Sequence, residues 1–144
     1  MTDSGICPLG DPFFEERGKI ISSRVLSIEP EVQIEYTIFL NGTMNGNLSI
    51  TDSGTLVSIL RKGSNGIYYS EGLGIISTTD GKEISTWKSQ GIQDITNDKN
   101  LLRGSAFYTT TSIGKLAFLN NLMTVFRSET DKIGNISNKE WEWK

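Results

Sequence analysis

Between positions 32 and 50 the chain alternates. Val32, Ile34, Tyr36, Ile38, Leu40, Met44, Leu48 and Ile50 share one parity with Gly42 and Gly46, and the positions between them are polar except Phe39. A period of two is the signature of a strand with one face turned to a core. At ~3.3 Å per residue one strand of that length would reach roughly 60 Å, too far for a small domain, so a bend or break is expected at Gly42 to Gly46. Glycine kinks of this kind curl a sheet towards closure.

Turn-forming residues recur along the rest of the chain, at Glu29-Pro30-Glu31, Asp52-Ser53-Gly54, Gly63-Ser64-Asn65-Gly66, Asp80-Gly81, Asn97-Asp98 and Gly134-Asn135. Such spacing predicts an antiparallel meander. The strands are expected near 19–28, 32–50, 55–62, 67–78, 83–95, 101–111, 123–130 and 136–143. Eight strands suffice to close a small barrel. The predicted fold is therefore all-β, an eight-stranded antiparallel meander β-barrel. One short helix or helical turn is expected near residues 112–122, where Leu116, Leu119 and Leu122 fall at helical spacing behind Ser112. Residues 1–16, with Pro8, Pro12 and Phe13-Phe14, read as an N-terminal arm whose aromatics cover a barrel end or fray. Residues 17–144 read as the single barrel domain.

Two-residue turns at Asp80-Gly81 and Asn97-Asp98 set a register by counting: Glu71 opposite Gln90, Leu73 opposite Lys88, Gln90 opposite Ser105, and Ile92 opposite Arg103. One face then carries Tyr69, Leu73, Ile75, Ile92 and Phe107 together with Glu71, Lys88, Gln90, Ser105 and Arg103. The other carries Ser70, Gly72, Gly74, Ser89, Gly91, Gly104 and Ala106 beside Trp87 and Tyr108. The first face, being richer in large apolar groups, is expected to line the interior, with Glu71 and Arg103 meeting there. The small-residue face is expected to mark bending, close backbone approach or a subunit contact. A two-residue turn at Gly134-Asn135 would set Phe126 opposite Trp143, and a three-residue turn at Pro30 would set Arg24 opposite Tyr36.

Composition narrows the chemistry. The chain has 144 residues and a net charge of -3, with both signs interspersed, so no broad positive field draws in nucleic acid or an anionic membrane. No apolar run approaches the ~20 residues of a membrane-spanning helix, and the first residues lack the pattern of a secretory signal. The single cysteine, Cys7, offers no internal disulfide, and a cytoplasmic location fits best. Asn41, Asn47 and Asn135 begin N-x-S/T triplets, which matter only on a secretory route. With no histidine, the sequence has no histidine-bound metal site and no Ser-His-Asp triad. No phosphate loop and no calcium loop is present either, so no metal and no cofactor is expected.

The remaining candidates are polar and aromatic residues on the face read as interior. Arg24, Tyr36, Tyr69, Glu71, Gln90, Arg103 and Phe107 are the expected ligand contacts, and Glu71 is the one candidate for a catalytic acid or base. The stretches Gly18-Lys19-Ile20 to Arg24-Val25-Leu26, Asn41 to Gly46, Tyr69 to Gly74, Trp87 to Gly91, and Lys115-Leu116-Ala117 to Trp141-Glu142-Trp143 resemble uncharacterised small microbial proteins similar to the allene oxide cyclase-like, calycin-type barrels. That resemblance implies an eight-stranded barrel with a cavity for a small apolar or amphipathic molecule. Allene oxide cyclases steer the cyclisation of a fatty-acid-derived epoxide without a cofactor; cyclase activity itself is not carried over to this chain. Three functions follow as expectations: a barrel that binds such a molecule, a cofactor-independent isomerase or cyclase, and a structural homo-oligomer without a ligand.

Overall fold

A computed structural model of the chain describes residues 9–60, 65–96 (the backbone alone at 96) and 99–143. Eight antiparallel strands close in chain order: β1 (Phe14–Ser27), β2 (Val32–Met44), β3 (Leu48–Leu60), β4 (Tyr68–Thr78), β5 (Ile84–Thr96), β6 (Lys99–Thr109), β7 (Leu122–Thr130) and β8 (Asn135–Glu142), with β8 returning to β1. The expected meander barrel is the observed fold. Closure satisfies the backbone along both edges of the sheet, which an open meander would leave unpaired.

The alternation over 32–50 belongs to two strands, not one bent strand. Asn45 and Gly46 adopt positive φ, and Met44 pairs with Leu48 across a three-residue loop. An odd loop preserves parity, so the apolar pattern passes through the turn unchanged. Asp52-Ser53-Gly54, read as a turn, lies inside β3. The missed turn and the false one offset each other, so the strand count is unaffected. β1 begins at Phe14, inside the segment read as an arm, and Phe14 is fully buried with Phe13 packed on Phe118. Cys7, Gly63-Ser64 and Asn97-Asp98 lie outside the described residues.

The registers counted from Asp80-Gly81 and Asn97-Asp98 are the observed ones: Glu71 pairs with Gln90, and Gln90 with Ser105. The other two hairpins differ. Phe126 pairs with Glu140 rather than Trp143, because the Asp131 carboxylate accepts the N–H groups of Ile133 and Asn135 and lengthens that turn. In β1 an irregularity between Val25 and Ser27 shifts the count by one, so Arg24 stands opposite Glu35 and pairs with it at 3.0 Å on the surface.

The face assignment is reversed. Ser70, Gly74, Gly91 and Ala106 are buried, as are Trp87 and Tyr108, while Leu73, Ile75, Ile92 and Phe107 are exposed on the outside with Glu71, Lys88, Gln90 and Arg103. The small-residue face therefore lines the interior and is no subunit contact. Its glycines seat one large ring. A methyl group on Gly74 would lie 2.4 Å from Cζ2 of Trp87, and one on Gly54 would lie 2.6 Å from the same atom. On Gly72 it would stand 3.1 Å from Cζ3. The indole lies across a slot in β3 and β4 that only glycine leaves open.

One end of the barrel is plugged. The connection from β6 to β7 holds a single turn of 3₁₀ helix, Ala117–Leu119, where a helical turn was expected. Its Leu116 and Leu119 are fully buried with Phe14, Met44, Ile50 and Ile76. Glu83 clamps this plug, accepting hydrogen bonds from the Ser112 hydroxyl and the Leu116 N–H. Gly74→Ala should accordingly destabilise the protein by about 2 kcal/mol or more, through overpacking against Trp87. Glu71→Ala, on the outer face, should cost less than about 0.5 kcal/mol. Urea melts that ranked the two the other way would contradict the face assignment.

Candidate functional site

Above the plug the interior holds a cavity of about 230 Å³, lined by residues from every strand and by Asp131, Lys132 and Gly134 of the β7–β8 turn at the end away from the plug. Its walls mix apolar and aromatic groups, Ile20, Tyr36, Leu56, Leu102 and Phe126, with Ser58, Ser70, Ser89 and Ser128. Small serines and glycines on β4, β5 and β6 create this space. An eight-stranded barrel walled by large residues would fill its own interior.

The cavity floor is built from three acidic side chains, each one inward position above the plug. Glu16 follows Phe14 on β1, Asp52 follows Ile50 on β3, and Glu140 lies on β8. All three are buried. Trp87 Nε1 donates to Asp52 Oδ1 at 2.7 Å. The hydroxyls of Tyr108 and Thr124 donate to Glu140 Oε1 at 2.7 and 2.8 Å. Asn138 Nδ2 bridges Glu16 Oε2 at 2.9 Å and Glu140 Oε2 at 3.2 Å. Glu16 Oε1 and Asn138 Oδ1 are buried and accept no hydrogen bond from the protein.

Burial dominates the electrostatics. It pushes the Glu140 carboxyl up from 4.5 to about 7, against the lowering effect of the Tyr108, Thr124 and Asn138 donors. Burial likewise raises Asp52 from 3.8 to about 6, against hydrogen bonds from Glu16 and Trp87. Glu16 is raised well above its ordinary value, by burial first and then by the neighbouring charge of Asp52. The Glu16–Asp52 hydrogen bond raises Glu16 and lowers Asp52. Glu16 is thus the member that keeps the proton. Tyr108 is held protonated by burial and by Glu140. Nearer the mouth Ser58 donates to Gln93 Oε1 at 2.7 Å, and burial raises Tyr36.

Of the residues singled out from sequence, Tyr36 lines the cavity. Glu71 and Gln90 are exposed on the outer wall, and Gln90 accepts a hydrogen bond from Tyr69 at 3.3 Å. Phe107 is 40 % exposed on the same wall. Arg103 pairs with Asp94 at 3.0 Å on the surface, and Arg24 with Glu35, so the expected interior meeting of Glu71 and Arg103 does not occur. Glu16, Asp52, Asn138 and Glu140 escaped sequence reasoning. Glu16 fell in the supposed arm, Asp52 in a supposed turn, and Asn138 and Glu140 behind a misjudged register. One signal could have found two of them: Asp52 stands two residues, and Glu140 four, from an apolar residue of the same parity, Ile50 and Ile136.

The fold recurs. A crystal structure of a conserved protein of unknown function from Rhodopseudomonas palustris superposes with a TM-score of 0.70 at 14 % identity, over 90 % of this chain and 95 % of that one. At that identity the likeness shows the barrel fold alone. No family model and no curated protein matches the chain. Among the described residues no helix is long and apolar enough to cross a membrane, and no group of acidic or sulfur side chains is arranged to hold a metal ion.

The raised carboxyls bear on stability. Between its unfolded and folded pKa each binds more protons in the folded than in the unfolded protein, so stability is greatest below about pH 4 for these groups and falls as pH rises through 6 and 7. Urea midpoints should therefore decrease from pH 5 to pH 8. Asp52→Asn, which mimics the protonated acid, should flatten that decline, and a wild-type midpoint that rose over this range would refute the buried-acid description.

Proposed function

We propose that the protein binds a small amphipathic molecule inside the barrel. The observation that supports this is a cavity with apolar walls and a polar floor, at the non-plugged end of a rigid closed sheet. Sites for small molecules combine predominantly apolar linings with a few convergent polar groups, and barrel mouths are among their usual places. At about 230 Å³ the space lies below the ~300–1,000 Å³ of drug-sized sites, and so suits a compact ligand. The polar end of that ligand is met by Glu16, Asp52, Glu140 and Asn138, in place of the surface residues Arg24, Glu71, Gln90 and Arg103. Tyr36 remains a proposed wall contact.

A second reading is a cofactor-independent isomerase or cyclase of the allene oxide cyclase type. It is favoured by the hydrogen-bonded Glu16 and Asp52 carboxyls at the cavity floor, one protonated and one available as a base near neutral pH. Glu71 has no part in it. Turnover lost in Asp52→Asn while binding persists would separate this reading from simple binding.

Titration of the purified protein with n-octanol, followed by calorimetry or native mass spectrometry, should show one saturable site. Ser70→Leu fills the cavity from β4 and should weaken that binding by about tenfold or more, equivalent to ~1.4 kcal/mol. Binding unaffected by the filled cavity would place the ligand elsewhere and overturn the proposal.

A further inference from the structure

The cavity floor has an imbalance of charge that specifies the head group of a ligand. The titratable groups facing it are Glu16 from β1, Asp52 from β3, Tyr108 from β6 and Glu140 from β8, all of them acids. Among the described residues the basic side chain in the cavity lining is Lys132, exposed in the turn at the mouth. Buried carboxylates cost several kcal/mol each unless paired or protonated. The donors that the protein does supply, from Trp87, Tyr108, Thr124 and Asn138, are neutral.

The acceptors left over are specific. Three buried acceptors of cavity-lining residues receive no hydrogen bond from the protein: Glu16 Oε1 and Asn138 Oδ1 at the floor, and Asn100 Oδ1 near the start of β6, towards the mouth. Asn138 is only 8 % exposed; its Nδ2 is taken by Glu16 and Glu140, and its Oδ1 is left as a neutral acceptor beside the carboxyls, without a donor from the protein. From β1 and β8, which pair side by side, the two oxygens serve the same floor beside Asp52. A primary ammonium carries three donors and one positive charge, a hydroxyl carries one donor and no charge, and a carboxylate carries no donor at all.

The geometry points to a small amphipathic primary amine as the ligand, its ammonium on Glu16, Asp52 and Asn138 and its apolar body against Tyr36, Leu56 and Phe126. This rests on reading the barrel as a ligand binder. The ammonium supplies the cation that the floor lacks, and its hydrogen bonds to ionised groups are the stronger, charge-assisted kind. Binding displaces the proton held between Glu16 and Asp52. Affinity for the amine therefore rises with pH over the range in which the floor carboxyls ionise, while an alkylammonium with a pKa near ~10 stays charged throughout.

The test compares n-octylammonium, n-octanol and n-octanoate by calorimetry on the full chain at pH 5.5 and pH 8. The amine should bind tightest at pH 8, at least tenfold ahead of the alcohol, with the carboxylate weakest, and its affinity should drop at pH 5.5. Glu16→Gln should weaken the amine at least tenfold more than it weakens octanol, because only the amine loses a charge-assisted contact; Asp52→Asn serves the same comparison if that variant does not fold. Octanol or octanoate binding as tightly as the amine, or a variant that weakens amine and alcohol alike, would overturn the amine assignment and leave the cavity as a binding site. Failure of all three probes to bind would overturn the assignment together with the ligand-binding reading it rests on.

Discussion

The interior is organised around one contact: the indole of Trp87 lying over Gly54, Gly72 and Gly74 with its N–H on Asp52. The ring needs a wall without side chains, and β3 and β4 supply one. In return the ring covers the bare backbone of those strands and brings a donor to a carboxyl group that burial would otherwise leave poorly satisfied. Trp87 thus couples three neighbouring strands to the floor of the cavity. A substituent on Gly54 or Gly74 would press directly on the ring and so on the donor it brings to Asp52, while one on Gly72 would meet Leu56 and Ser89 first.

That coupling explains how the barrel tolerates so acidic a floor. Three carboxyl groups are enclosed with no buried cation among the described residues, and the donors that reach them are neutral, with burial favouring retained protons. A structural core would gain nothing from this arrangement, because apolar side chains of similar volume would be at least as stable. The polar groups sit where the packed plug of Phe14, Met44, Leu116 and Leu119 gives way to open space. Their position at that boundary, on the floor of the open space, is the physical link between the fold and the binding role we propose.

The strands themselves were legible because a period of two survives in almost every segment, and the registers across β4, β5 and β6 followed from the lengths of two short turns. Errors arose where turn chemistry acts at a distance. The Asp131 carboxylate gathers N–H groups from Ile133 and Asn135 and lengthens a turn that Gly134-Asn135 alone would make tight. Asp52 and Gly54 imitate a turn in sequence, yet each serves the interior, one as an acceptor and one as room for the indole.

Alternation and turn spacing by themselves determined that this chain is an eight-stranded meander and which residues of β4, β5 and β6 share a face, and the composition that its chemistry does not come from histidine. Only the closed barrel decided which face is inside. Alternation is symmetric between the two sides of a sheet, and the large apolar residues Leu73, Ile75, Ile92 and Phe107 tipped the sequence reading towards the wrong one. Closure breaks the symmetry, because the concave side of a narrow barrel has less volume per residue than the convex side. Two large rings, Trp87 and Tyr108, already occupy that volume, so the positions around them, Ser70, Gly72, Gly74, Ser89, Gly91, Gly104 and Ala106, are small, and bulky groups such as Leu73, Ile75, Ile92 and Phe107 are left on the outer wall.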